Sequence, residues 1–140
     1  MSSKIFVEYI GDLRTESTHI DSGDKIITDA PVDNNGLGRT FSPTDLVASS
    51  LGSCMLTIIA ISAKSNNIKI RKMSAKITKM MSDNSPRRIS DILIDIFIYG
   101  SYDTKSKLII KRSAKHCPVH KTINSNIKLN IIYKWDKNFL

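Results

Sequence analysis

Cysteine and aromatic side chains are scarce in this chain of 140 residues: it has two cysteines, one tryptophan and 6% aromatic residues overall. Two cysteines 63 positions apart, Cys54 and Cys117, cannot build a four-cysteine zinc site. They are also too few for the disulfide framework of a small secreted domain. Two meanings remain for them, a pair of buried structural thiols or one redox couple closed across the fold. The first residues, Met1-Ser2-Ser3-Lys4-Ile5-Phe6, enter an alternating pattern at once and lack the apolar core and small-residue cleavage site of a signal peptide. A cytoplasmic protein is therefore expected, in a compartment where disulfides are catalytic or sensing rather than structural. The stretch from Leu46 to Ala63 is nearly free of charge, but it carries serines, a threonine and a glycine and is short for a bilayer crossing, so no membrane association is expected. Internal repeats and low-complexity tails are absent.

Positive charge is plentiful but poorly organised. The formal net charge is +8, with four basic and eight acidic side chains in residues 1–60 against seventeen and five in residues 61–140. The basic residues are mostly lysines at single positions along alternating segments, without clustered arginines or interleaved aromatics. Such a distribution governs solubility and weak association, and nucleic acid is not an expected partner.

The length predicts a single domain over residues 1–140. Lys4–Ile10 and Arg14–Ile20 alternate like strands around a Gly11-Asp12 turn, which predicts an opening antiparallel hairpin, with Ile26-Ile27 as a short third strand. Residues 29–40 read as a long loop of a length that is usually functional. Ser42 then supplies an N-cap, Pro43 the first helical position and Asp45 the acidic half of a capping box. Phe41 is placed to staple onto Leu46. The helix runs to about Asn66 and is apolar or small on every face, so it is expected to be central and buried. Further on, strands are predicted over Ile68–Met80, with a bulge near Lys72, and over Ile92–Tyr99. Helices follow at Thr104–Lys115 and from Pro118 to about Ile123, and a last strand at Ile127–Trp135. The order gives an α+β domain of helices on antiparallel sheet.

Cys117 precedes Pro118 as Ser42 precedes Pro43, which predicts a helix N-cap where backbone N–H groups favour a thiolate. His116, His120, Lys115 and Lys121 surround it. Taken alone, Cys117 reads as the more acidic thiol, although a small residue tolerated at a cap fits equally well. Cys54 lies eleven residues beyond Pro43, too deep for its own helix terminus to act on it, and would need an outside cation to react. A metal site is not expected around His116, Cys117 and His120, because a closed structural site needs a fourth ligand.

Ser42-Pro43-Thr44-Asp45-Leu46, then Leu51-Gly52-Ser53-Cys54, then Ala114-Lys115-His116-Cys117-Pro118-Val119 together resemble the OsmC/Ohr family of osmotically inducible and organic-hydroperoxide-resistance proteins. The resemblance runs from the first hairpin to the last strand. It implies an OsmC-like α+β fold, antiparallel sheets around a long central buried helix, and an intertwined homodimer. It also implies that Cys54 attacks the peroxide and that Cys117 resolves it. A catalytic arginine of the family lies in the opening hairpin, and Arg14, nine positions before Gly23, falls on it; Arg39 in the loop is the competing candidate. The family's glutamate ten residues before the reactive cysteine is replaced here by Thr44, with the nearest carboxylate at Asp45. That departure resembles the less characterised branches of the family.

The function implied is a thiol-dependent, peroxiredoxin-like cysteine peroxidase acting on organic hydroperoxides within apolar walls supplied by Phe41, Leu46, Met55 and the isoleucine-rich strands. It would need an external dithiol reductant and neither bound cofactor nor metal. The alternative is a non-enzymatic dimeric stress protein or small-ligand carrier whose thiols are vestigial.

Overall fold

The computed structural model describes residues 2–123 and 125–136. Within the single domain expected over 1–140, the chain forms two compact units, residues 1–47 and 48–140.

The first unit is a three-stranded antiparallel sheet in the order β1 (Ile5–Gly11), β2 (Arg14–His19), β3 (Lys25–Asp29). Asp12 and Leu13 link β1 to β2 with φ of 51° and 60°. Positive φ at both central positions of a two-residue loop is the type I′ geometry, whose twist matches that of the strands it joins. The β2–β3 register sets Arg14 opposite Asp29. After β3 the loop folds back on itself: Gly38 N–H bonds the Ala30 carbonyl, and a Cβ on Gly36 would stand 1.7 Å from that same oxygen, so only glycine fits there. At the helix start the predicted capping box is formed, Ser42 N–H donating to Asp45 Oδ2 at 2.8 Å and Asp45 N–H to Ser42 Oγ at 3.1 Å. Phe41, ahead of this cap, is exposed.

Helix α1 (Pro43–Ser65) runs on into the second unit. It is buried along one stripe, Ala48, Leu51, Gly52, Met55, Ile59 and Ala63, rather than all round as expected. The spacing of that stripe is the helical repeat, and one three-stranded sheet can cover only one such face. Val47 and Ile61 stay exposed on the others. By length and composition alone α1 could cross a membrane, and 33% of its most apolar window is buried within the chain. Asn67, at φ 56°, ends the helix in the left-handed region while Ile68 N–H bonds the Ala63 carbonyl at 2.8 Å. This is the six-to-one closure of a Schellman cap. It engages Ile68 in ending the helix, and strand pairing therefore begins at Lys72 instead of Ile68.

Strands β4 (Lys72–Met81) and β5 (Ile89–Tyr99) pair antiparallel, with the irregularity between Met80 and Met81 rather than near Lys72. Helices α2 (Thr104–Ala114) and α3 (Pro118–Thr122) follow, and β6 (Lys128–Asp136) pairs parallel to β5. The second sheet is thus mixed, where antiparallel pairing throughout was expected. A connection of more than a dozen residues carrying two helices returns the chain to the starting end of β5, which is the kind of crossover a parallel pair requires. Ile92, Ile94, Ile96 and Ile98 of the central strand all point at the helices and pack with Leu51, Met55, Ile59, Ile110, Ala114 and Cys117. Each fully buried isoleucine contributes roughly 1.5–3 kcal/mol, so this layer fixes how α1 and α2 sit on their sheet.

Candidate functional site

The second unit brings the two thiols together. Cys54 lies on α1 between the buried Leu51 and Met55, half-exposed, and Cys117 is fully buried at the junction of α2 and α3. Gly52 sets the depth of α1 here, since a Cβ on it would come within 2.4 Å of Ile77 Cδ1 on β4. The α2–α3 turn is held by His116 N–H to the Ser113 carbonyl at 2.9 Å and Cys117 N–H to the Ala114 carbonyl at 3.3 Å. Both cysteines are free thiols, and their side chains lie near each other, Cys54 packing against the core cluster that holds Cys117. Two adjacent thiols, one reachable from solvent and one enclosed, can close a disulfide.

Cys117 caps α3 as predicted, its Sγ accepting the His120 N–H at 3.4 Å. Its acidity is opposite to the expectation. Burial pushes the thiol up, the hydrogen bond with Cys54 adds to that, and the His120 and Val119 amides only partly oppose them. A five-residue helix offers too small a dipole to outweigh complete burial. His116 is exposed, with Nδ1 3.0 Å from the Arg112 carbonyl. His120 Nδ1 is closed to solvent and has no hydrogen-bond partner among the described residues. Beside this turn an open groove of about 360 Å³ is lined by Ile58 and Ile61 of α1, Ile109 and Arg112 of α2, and Ser62, Ser113 and His116. Of the residues expected to supply apolar walls, Phe41 is exposed and Met55 lies in the core. Among the described residues no group of three or more His, Cys, Asp or Glu gathers to hold a metal.

The first unit holds both candidate arginines and a carboxylate that the sequence reading missed. Asp29 is fully buried at the end of β3; its Oδ2 accepts the Arg39 Nε–H at 2.7 Å and the Arg39 backbone N–H at 3.0 Å. The Arg39 side-chain hydrogen bond holds the Asp29 carboxyl below the usual carboxylate range against the opposing effect of burial, and the charges of Arg39 and Arg14 assist. Arg14 Nε is closed to solvent without a hydrogen-bond partner among the described residues, as is Asp29 Oδ1. Arg39 is thus engaged with Asp29, while Arg14 keeps an unused donor. No spacing in Thr28-Asp29-Ala30-Pro31 marks this acid; the signal is the strand register that sets it opposite Arg14, and a sequence does not display register. Thr44 Oγ1 meets Ser42 Oγ at 3.1 Å, and Asp45 takes part in the helix cap.

Residues 36–132 match the OsmC-like protein family. A Psychrobacter arcticus 273-4 protein named for osmotic stress induction and detoxification response is 47% identical, with 95% of each chain covered and a TM-score of 0.86. An OsmC-like protein of Mycoplasma pneumoniae shares the fold at 21% identity and a TM-score of 0.83, over 97% of this chain and 98% of that one. An organic hydroperoxide resistance protein OsmC of Legionella pneumophila does so at 15% identity and 0.79, over 96% and 97%. No curated protein matches the sequence. The extent of the family match and the identity to the Psychrobacter protein, together with the α+β fold of two three-stranded sheets and the paired thiols, establish that this chain belongs to the OsmC-like protein family.

Proposed function

We propose that this protein is a thiol-dependent peroxidase of organic hydroperoxides. The observation carrying the proposal is the contact between a half-exposed Cys54 and an enclosed Cys117 in a chain with no third cysteine. The Cys54 thiolate attacks the outer oxygen of R–O–OH, releasing the alcohol and leaving a sulfenic acid. Cys117 then condenses with it to form a disulfide and water. Both sulfurs are then in the disulfide, so turnover needs an external dithiol. The apolar groove beside the α2–α3 turn favours an organic peroxide over hydrogen peroxide. Its Legionella relative is named for organic hydroperoxide resistance, which agrees with this reading.

Arg14 is the cation assigned to the reaction, by its match to the family position and by its unpaired Nε. A guanidinium at the reacting sulfur would lower the cost of the thiolate and of charge developing on the departing oxygen. A homodimer is proposed because β1 carries large apolar side chains exposed on both faces, among them Ile5, Phe6, Val7 and Tyr9. One equivalent of cumene hydroperoxide should remove both free thiols of each reduced chain, and none in the Cys54→Ser protein. Retention of both thiols in the wild type would leave the non-enzymatic carrier reading in its place.

A further inference from the structure

The second half of the proposed cycle has a proton problem. Cys117 must lose its thiol proton to attack Cys54, yet it is fully buried and burial pushes its thiol up. The segment around it offers few acceptors. From Thr104 to Trp135 there is no carboxylate, and the basic side chains Lys107, Lys111, Arg112, Lys115 and Lys121 are hydrogen-bond donors. Between Asp45 and Lys64, α1 carries a single titratable side chain, Cys54 itself. The helix-side face of the sheet offers isoleucines, Leu129, Tyr133 and Trp135, with Lys79 its one charged side chain.

Imidazole is the side chain suited to this exchange near neutrality. The chain has three histidines, and in two of them ring nitrogens are already engaged: those of His19 with Ser3 and Ser22, and Nδ1 of His116 with the Arg112 carbonyl. His120 differs. It stands at the third helical position after the Cys117 cap, the position whose side chain turns back toward the cap residue. Its own amide touches Cys117 Sγ at 3.4 Å, and its Nδ1 is shut away from water with no partner among the described residues. A buried polar atom left unpaired in the resting molecule calls for a role, and proton transfer is one that an imidazole beside a thiol can fill.

We propose that His120 is the general base for Cys117, an inference that rests on the peroxidase reading for its place in the cycle. Nδ1, with the ring's other nitrogen carrying the proton, takes the thiol proton as Cys117 Sγ attacks the Cys54 sulfur. The new S–S bond forms as the sulfenic S–O bond breaks, and the imidazolium returns its proton to the departing hydroxide as water. The two-electron oxidation has already been supplied by the hydroperoxide, so this step needs no further oxidant.

The same proton transfer can be read without peroxide. 4,4′-Dithiodipyridine converts Cys54 to a mixed disulfide, and attack by Cys117 then releases a second thiopyridone; Cys117→Ser abolishes that second release. His120→Asn keeps a polar atom near the Nδ1 position but removes the base. It should slow the second release about tenfold or more at pH 7, and the gap to the wild-type rate should close as pH rises and Cys117 ionises unaided. His19→Asn should match the wild type throughout. An unchanged rate in His120→Asn, or one depressed equally at every pH, would overturn the assignment, and His120→Gln repeats the test should Asn disturb the fold. Absence of any second release from the wild type would overturn it too. Hydroperoxide consumption, measured in parallel, reports separately on the peroxidase reading.

Discussion

Asp29 and Arg39, ten positions apart, are joined twice: one carboxylate oxygen accepts both the side-chain Nε–H at 2.7 Å and the backbone N–H at 3.0 Å. The pair ties the return of the loop to the end of β3, and Arg14 stands opposite Asp29 on β2. The buried carboxylate therefore bonds Arg39, while Arg14 Nε has no hydrogen-bond partner among the described residues.

The acid dependence of stability should carry the signature of this pair. The Asp29 carboxyl is held below its unfolded value, so its contribution is present above the ordinary carboxylate range and is lost as pH falls through the lowered folded value. Asp29→Asn should lower Tm by several degrees at neutral pH and flatten the loss of stability below about pH 4. Thermal unfolding followed by circular dichroism from pH 7 down to pH 2 measures both. Equal acid slopes in the variant and the wild type would assign that loss to other carboxylates.

The two arginines should separate kinetically. Arg14→Ala should slow hydroperoxide consumption by about an order of magnitude or more, the scale of losing one charge-stabilising donor. Arg39→Ala should chiefly loosen the loop, with a smaller effect on rate and a lower Tm. The reverse ranking would transfer the catalytic role to Arg39.

The helix start tests a different contribution. Asp45 accepts the Ser42 amide at 2.8 Å, so Asp45→Asn should cost about 1 kcal/mol of stability and little activity. Urea unfolding gives the first quantity and hydroperoxide turnover the second. A large loss of turnover with stability intact would give Asp45 the role of the family glutamate that Thr44 replaces.

Most of the elements were legible because their signals are local. The Ser42-Pro43-Asp45 cap, the 3.6-residue recurrence within α1 and the strict alternation of Ile92 to Ile98 each specify a conformation over a few residues. Three features were not legible, for related reasons. The parallel direction of β6 depends on how far the α2–α3 connection carries the chain. The Arg14–Asp29 pairing depends on the β2–β3 register. The raised thiol of Cys117 depends on what covers it: the sequence displays the cap, which lowers a thiol pKa, but not the core, which raises it further. The contact between Cys54 and Cys117 is equally long-range. It was expected through the family resemblance, since no spacing between positions 54 and 117 implies it.

Association should be visible in solution and should depend on β1. In a single chain Ile5, Val7 and Tyr9 on one face of this strand are 65%, 58% and 66% exposed, and Phe6 on the other is 56% exposed. A strand apolar on both faces is poorly suited to remain in water, because exposed strands invite pairing and natural proteins protect them with charge. A second copy of the chain is the proposed cover. Sedimentation at micromolar concentration should give twice the 15.7 kDa chain mass. Val7→Lys should shift the population toward the monomer, since burying an unpaired ammonium at an apolar contact is strongly unfavourable. Phe6→Lys makes the same test on the opposite face, and the face whose lysine dissociates the particle is the one the partner covers. A wild-type chain that sediments at 15.7 kDa across that range would overturn the dimer and leave β1 to be covered by some other partner.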